Sequence, residues 1–159
     1  MQRPSLDGRS ILIVEDEPLI VMDITQQFEA TGAALTTTNT LHHALILVEH
    51  DGLSGAILDH SLGDGNSSIL CARLKERGIP YIIYSGHATV EGACKGAPHV
   101  GKPAAPGELV ARMEELIRDA THSRRPPQRK IPSFSLRPLK MFGARVADSR
   151  SSSPHWRVF

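Results

Sequence analysis

The stretch RSILIVEDEP, residues 9–18, contains the pattern that decides the fold. Its apolar run at 11–14 is long enough for a buried strand, and the acidic run EDE at 15–17 follows at once. Pro18 comes next and suits the first turn of a helix, because the N–H that proline lacks has no helical partner there. The stretch therefore predicts a strand, an acidic loop and a helix in succession.

The same order of elements repeats along the chain. Further strand-like runs occupy residues 33–38, 54–59, 80–86 and 98–103, and helix-like segments occupy 19–32, 41–52, 67–78 and 105–120. The segment 87–97 is a weak helix, because its two glycines at 92 and 96 each cost about 1 kcal/mol relative to alanine in a helix interior. Five strand–helix units predict an α/β fold, a doubly wound five-stranded parallel sheet with a short or weak fourth helix.

The first and last helices show apolar spacing typical of helices packed on a sheet. In the first helix we expect the apolar positions to include Leu19, Met22, Phe28 and Ala30. In the last helix we expect one apolar face made of Leu109, Met113, Leu116 and Ile117.

Charge divides the chain into two parts. Residues 1–121 hold 9 Lys and Arg against 16 Asp and Glu, whereas residues 122–159 hold 9 against 1. The second part contains scattered Pro and Ser and no sustained apolar period, so it buries too little surface to offset its ordering entropy. We predict a folded domain over residues 1–121 and a basic, disordered tail over residues 122–159.

Composition excludes several classes of protein. No stretch approaches the ~20 unbroken apolar residues of a membrane span, and the N-terminus lacks the apolar region of a signal peptide. We therefore expect a cytoplasmic protein that does not bind membranes. Cys71 and Cys94 lie outside any CxxC spacing, so we expect two ordinary packing residues and neither a zinc site nor a disulfide framework.

Polar side chains follow four of the five predicted strands. The carboxyl ends of parallel strands share one edge of a sheet, and in open α/β sheets ligands bind outside that edge. Carboxylates crowded in one cleft repel one another unless a divalent cation neutralises them, and Mg²⁺ prefers oxygen ligands. An ammonium and a hydroxyl beside them suit phosphoryl oxygens, and a carboxylate can attack phosphorus. The candidate site residues are Glu15, Asp16, Asp59, Ser85 and Lys102.

With these residues in place, the chain resembles the receiver domain of bacterial two-component response regulators over about residues 8–121. The resemblance rests on residues 11–16, the run AILD at 56–59 with LGDG at 62–65, YSG at 84–86, and Lys102-Pro103. It implies a flavodoxin-like (βα)5 fold and a phosphoryl group accepted on Asp59 from a histidine kinase or phosphotransfer protein. It also implies a Mg²⁺ cofactor, an unidentified downstream protein, and no enzyme activity beyond slow autodephosphorylation.

The resemblance assigns a role to each site residue. Glu15, Asp16, Asp59 and the Ser61 backbone carbonyl would hold Mg²⁺, Ser85 would be the switch hydroxyl, and Lys102 would contact the phosphoryl group. Ser61 and His87 stand where the family tunes its dephosphorylation rate. His99 stands where the family usually carries Tyr or Phe, so the usual aromatic coupling is in doubt.

Three other interpretations remain open from the sequence. The tail, with Phe134, Phe142, Trp156 and Phe159 among its basic residues, could bind nucleic acid, although we expect it not to. The run Ser85-Gly86-His87 is similar to the Thr-Gly-Tyr of receivers often encoded as stand-alone regulators, and residues 122–159 show no helix-turn-helix pattern, so we expect a stand-alone single-domain regulator; a phosphoryl sink without output is the alternative. An aspartate-nucleophile phosphatase is disfavoured, because that family needs a second Asp at position 61, which is Ser here.

Overall fold

The structure is a computed structural model that describes residues 5–87 and 90–124. The strands, in chain order, are β1 (Ser10–Val14), β2 (Ala34–Thr38), β3 (Gly55–Leu58), β4 (Ser61–Leu62), β5 (Gly65–Asn66), β6 (Tyr81–Ser85) and β7 (His99–Gly101). The α-helices are α1 (Pro18–Phe28), α2 (Leu41–Leu47), α3 (Ser68–Glu76) and α4 (Glu108–Ser123).

Five of the strands form one parallel sheet in the order β2-β1-β3-β6-β7. The strand order reverses between β1 and β3, which is the switch point where such sheets bind ligands. The remaining two strands, β4 and β5, form a small antiparallel hairpin directly after β3. The predicted doubly wound five-stranded sheet is confirmed, whereas the hairpin was not predicted.

Each face of the sheet carries its own hydrophobic layer, as alternating side chains of buried strands require. One layer joins the sheet to α1 and α4 through Phe28, Leu109, Met113 and Ile117. The other joins it to α2 and α3 through Ala44, Val48, Leu70 and Leu74. The predicted apolar face of the last helix is thereby confirmed, with Leu116 partly buried at its edge.

The buried face of α1 differs from the apolar positions expected from the sequence. Ile24 and Phe28 are fully buried, whereas Leu19 is 77% exposed and Met22 is 59% exposed. The first half of this helix offers several neighbouring apolar residues, so the sequence alone leaves the orientation of the helix undetermined. The packing of α1 against α4 and the sheet selects the Ile24–Phe28 stripe.

Among the described residues of the fourth crossover, the helical structure is a three-residue 3₁₀ turn, Gly92–Cys94, and not an α-helix. The predicted short or weak fourth helix is confirmed. Gly92 adopts a left-handed backbone with φ of 64°, a conformation that glycine tolerates and that interrupts an α-helix. The second helix is also shorter than its predicted range of 41–52, because α2 ends at Leu47 and turns follow.

The interpretation of the cysteines was half right. Cys71 on α3 and Cys94 in the 3₁₀ turn are both fully buried, as packing residues should be. They are nevertheless joined by a disulfide, with Cα atoms 5.2 Å apart, and the expectation of no disulfide was wrong. The two residues are 23 positions apart in sequence, so only the docking of the 3₁₀ turn on α3 brings them together.

The helix α4 continues to Ser123, slightly past the predicted domain boundary at 121. The predicted disordered tail, apart from its first residues at 122–124, lies outside the described residues. Within the described part of the chain, no helix has the length and apolar character needed to cross a bilayer.

Candidate functional site

The carboxyl edge of the sheet brings the predicted polar residues together. Strands β1 and β3 are parallel neighbours in which Val14 is paired with Leu58, so the acidic residues that follow each strand lie side by side. Strand β6 lies next to β3, and β7 lies next to β6. One open pocket at this edge is lined by Asp16, Glu17, Asp59, Ser61, Ser85, Gly86, His87 and Lys102.

Three carboxylates form the centre of the site. Glu15, Asp16 and Asp59 each place a carboxylate oxygen within 4.8 Å of the others. Glu15 is 2% exposed and Asp59 is 8% exposed, whereas Asp16 faces solvent. Two of the three negative charges therefore lie in a setting where water screens them poorly.

Lys102 is the counterion of this cluster. Its Nζ atom lies 2.6 Å from Glu15 Oε2 and 3.2 Å from Asp59 Oδ2. The residue is held at the strand edge by its backbone N–H, which donates to the Ser85 carbonyl, and its Nζ lies 5.6 Å from the centre of the Tyr84 ring. Lys102 thus connects the ends of three neighbouring strands.

Burial and charge act on these groups in opposite directions. Burial raises the pKa of Glu15, and the hydrogen bonds from Lys102 and from the Glu17 N–H oppose this rise without cancelling it. Burial acts to lower the pKa of Lys102, but the hydrogen bond to Glu15 and the charges of Asp59 and Glu15 outweigh burial and raise it. The charged form of Glu15 is therefore unfavourable at this buried position unless a cation lies beside it.

The residues fit a hard divalent cation. Among the described residues, the Lys102 ammonium is the one cation that forms ion pairs with this cluster of three carboxylates. Negative charge therefore remains in excess. Backbone N–H groups partly orient the oxygens: Gly63 donates to Asp16 Oδ2 over 3.2 Å, and Ser61 donates to Asp59 Oδ1 over 3.3 Å. Carboxylate oxygens with remaining lone pairs and adjacent solvent suit Mg²⁺, which keeps several of its waters.

The other predicted site residues occupy different places. Ser85 is buried at the end of β6, and its hydroxyl accepts a hydrogen bond from the His87 N–H over 3.2 Å. Ser61 and His87 are exposed and line the pocket. His99 begins β7 and is exposed, and it is not among the described residues that line the pocket.

Sequence reasoning missed one group that fixes the acceptor strand end. Ser67 is fully buried, and its hydroxyl donates to the backbone carbonyl of Asp59. Asn66 and Ser67 both precede α3, and both are residue types that commonly cap helices. Asn66 is the residue that accepts the Ser68 N–H, over 3.1 Å, which leaves Ser67 to hold the acceptor.

A second missed residue, Asp64, holds the acceptor loop to a neighbouring helix. Its two carboxylate oxygens accept the backbone N–H groups of Leu41 and His42 at the start of α2, over 2.9 and 3.1 Å. These hydrogen bonds lower the pKa of Asp64. A negative charge at a helix N-terminus is favourable, but the 23-residue separation hides this contact from local sequence patterns.

Comparison with known proteins places these features in a family. The sequence profile described as "Response regulator receiver domain" matches residues 11–114. The two-component response regulator PprB of Pseudomonas aeruginosa is 30% identical over 127 residues, which cover 73% of this chain and 46% of that protein. The chain thus spans about half the length of this curated relative.

Solved structures show the same fold. A CheY-like response regulator receiver domain protein from Methanospirillum hungatei is 25% identical, with a TM-score of 0.66, over 72% of this chain and 98% of that chain. The receiver domain of the sensor histidine kinase PA1611 from P. aeruginosa, solved with a magnesium ion in its active-site cleft, is 20% identical. Its TM-score is 0.62, over 69% of this chain and 98% of that chain.

Proposed function

Because the chain belongs to the response regulator receiver domain family, we propose that it accepts a phosphoryl group on Asp59 and signals by a conformational switch. The donor is a histidine kinase or a phosphotransfer protein, and the cofactor is Mg²⁺. The observation that carries this proposal is the position of Asp59, which follows a central strand and lies beside both the Lys102 ammonium and two further carboxylates.

The phosphotransfer step follows from this geometry. An Asp59 carboxylate oxygen attacks the phosphorus of the donor's phosphohistidine, the new P–O bond forms, and the P–N bond to the donor breaks. Glu15, Asp16, Asp59 and the Ser61 carbonyl would hold Mg²⁺, which neutralises negative charge on the transferring group. Lys102 is placed to stabilise the oxygens of the transferring group, because its ammonium already lies 3.2 Å from Asp59 Oδ2.

The switch follows from the acyl phosphate that forms. Its oxygens offer the Ser85 hydroxyl a strong new acceptor, so the end of β6 moves toward Asp59. Ser61 and His87 flank the route by which water approaches the acyl phosphate from the pocket, and we assign them a role in setting its hydrolysis rate. His99, exposed on β7, takes the place of the family's aromatic and modulates the coupling at most indirectly.

Phosphorylation of Asp59 would make this chain a phosphoprotein. We propose that it is cytoplasmic, that it acts on a downstream protein, and that it is not a multiple-turnover enzyme. A phosphoryl sink without output is the alternative use of the same site. Nucleic-acid binding by the tail at 122–159 is a second alternative, which we do not expect; if it is correct, removal of those residues should abolish salt-dependent DNA retention, and unchanged retention would exclude it.

The test uses acetyl phosphate as a small phosphodonor with Mg²⁺. We expect stoichiometric labelling of the wild type by intact-mass measurement, and no labelling of Asp59→Asn or of samples containing a Mg²⁺ chelator. Asp7→Asn is the matched control, because Asp7 is exposed and lies outside the carboxylate cluster. Labelling that persists in Asp59→Asn, or multiple turnover of phosphate esters by the wild type, would overturn the proposal.

A further inference from the structure

The segment at residues 90–98, here called the 90–98 segment, replaces the fourth helix between Ser85 and Lys102. Its regular structure is the 3₁₀ turn Gly92–Cys94, and besides the buried Cys94 it packs the small or partly buried residues Val90, Ala93 and Ala97 against the core. So small an apolar surface stabilises the docking of a segment weakly compared with the face of a full helix. Other contacts must hold the 90–98 segment in place.

Apart from the Pro98 carbonyl, which accepts a hydrogen bond from the Ile83 N–H of β6 over 2.8 Å, those contacts run to α3. The Cys71–Cys94 disulfide is fully buried between the two elements. The Ala93 N–H donates to Ser68 Oγ over 3.0 Å, and Lys75 Nζ donates to the Ala93 carbonyl. A Cβ atom added to Gly92 would collide with the Ser68 side chain, so the Gly92 backbone packs directly against that side chain. The 90–98 segment is therefore held to α3 by the disulfide bond and by two hydrogen bonds at Ala93.

The same helix is anchored to the acceptor. Ser67, which precedes α3, donates from its hydroxyl to the Asp59 carbonyl. On its other side the 90–98 segment leads directly into β7, whose end carries Lys102. The disulfide thus links α3, which is anchored to Asp59 through Ser67, to the segment between the switch hydroxyl and the phosphoryl-binding lysine.

We propose that the Cys71–Cys94 disulfide is a redox-responsive clamp on the 90–98 segment, and that its reduction shortens the lifetime of the phosphorylated state. This inference rests on the proposed phosphorylation of Asp59. In a reducing compartment, protein disulfides are usually redox-sensing or transient. A cellular dithiol donates two electrons to the S–S bond, the two cysteine sulfurs each take up a proton, and the dithiol becomes a disulfide.

Burial sets the route of this reaction. A reductant cannot reach either sulfur while the 90–98 segment lies on α3, because both cysteines are fully buried. Reduction proceeds through local opening of the segment, and the reduced segment then opens more often because the covalent tether is lost. Ordering a looser segment around the phosphorylated site costs more entropy, so the switched state is less populated and the acyl phosphate hydrolyses faster.

The test compares the full chain in two redox forms. Protein alkylated during isolation is titrated for thiols, and the oxidised and dithiothreitol-reduced forms are labelled with acetyl phosphate and Mg²⁺. We expect reduction to shorten the acyl-phosphate half-life by about fivefold, which is the effect of an ordering penalty equal to that of one backbone residue. Amide exchange in the 90–98 segment should rise on reduction, while exchange in β1 stays unchanged.

The double variant Cys71→Ala/Cys94→Ala is the matched control. It should behave like the reduced wild type and should not respond to dithiothreitol. Equal half-lives and equal exchange in the two redox forms of the wild type would overturn the clamp, as would two free thiols in protein exposed to a mild oxidant. Absence of acetyl phosphate labelling in both forms would refute the proposed function, and the exchange measurement would then decide the clamp by itself.

Discussion

Removing the ammonium of Lys102 is the most direct way to measure the charge balance of the site. The substitution Lys102→Met keeps most of the side-chain stem and deletes its charge. Glu15 is 2% exposed and is paired with this ammonium over 2.6 Å. In the Lys102→Met variant, the carboxylates of Glu15 and Asp59 would remain buried. Among the described residues, no other cation forms an ion pair with either of them.

The magnitude follows from the two distances. At an effective dielectric constant near 20, a unit charge pair at 2.6 Å gains about 6 kcal/mol and one at 3.2 Å gains about 5 kcal/mol. Desolvation of the charges offsets most of this gain, and breaking a buried pair typically costs about 3–5 kcal/mol. We expect Lys102→Met to lower the free energy of unfolding by about 3 kcal/mol at pH 7 without Mg²⁺.

The raised pKa values of Lys102 and Glu15 predict how the stability penalty of Lys102→Met depends on pH. The raised pKa of Lys102 means that its stabilising effect is fully present below its unfolded value and is lost only as the pH rises through the folded value. The raised pKa of Glu15 means that its unfavourable charge disappears as the pH falls toward the unfolded value of 4.5. The penalty of Lys102→Met should therefore be largest near neutral pH and should shrink on acidification toward pH 4.5.

Urea unfolding with and without Mg²⁺ measures these terms. At a free Mg²⁺ concentration ten times its dissociation constant, binding stabilises a protein by about 1.4 kcal/mol. The variant should gain more than the wild type at equal Mg²⁺, because its site carries one more uncompensated negative charge. The control is Lys95→Met, an exposed lysine outside the cluster. A Lys102→Met penalty that does not change with either pH or Mg²⁺ would refute this electrostatic account.

Three further predictions concern the contacts that the sequence did not reveal. Reversible unfolding of the double variant Cys71→Ala/Cys94→Ala should show a loss of about 3 kcal/mol, the chain-entropy value for a loop of 23 residues, and an unchanged midpoint would contradict a formed disulfide. Ser67→Ala should lose about 1–2 kcal/mol in urea unfolding, because the Asp59 carbonyl loses its buried donor. Asp64→Asn should be less stable than the wild type above pH 3.8, and the difference should vanish as the pH falls through the lowered folded pKa of Asp64; a difference that persists in acid would exclude its charge as the cause.

Local patterns predicted most of the fold. The apolar run before Glu15, the proline at 18 and the glycine-broken segment before β7 each gave the right element type, because strand burial, helix starts and helix breaking depend on neighbouring residues. The order of strand ends also placed five polar residues at one edge of a parallel sheet. The structure brings these residues together, while their individual roles stay proposals.

Tertiary structure decided what local patterns cannot encode. Which apolar stripe of α1 is buried depends on the neighbouring helix, and Leu19 and Met22 remain exposed for that reason. The Cys71–Cys94 disulfide and the contact of Asp64 with α2 join residues more than 20 positions apart. The sequence by itself determined the elements and the edge at which the chemistry lies, whereas the packing of those elements determined which distant side chains meet, because such contacts form only when the sheet order brings the elements side by side.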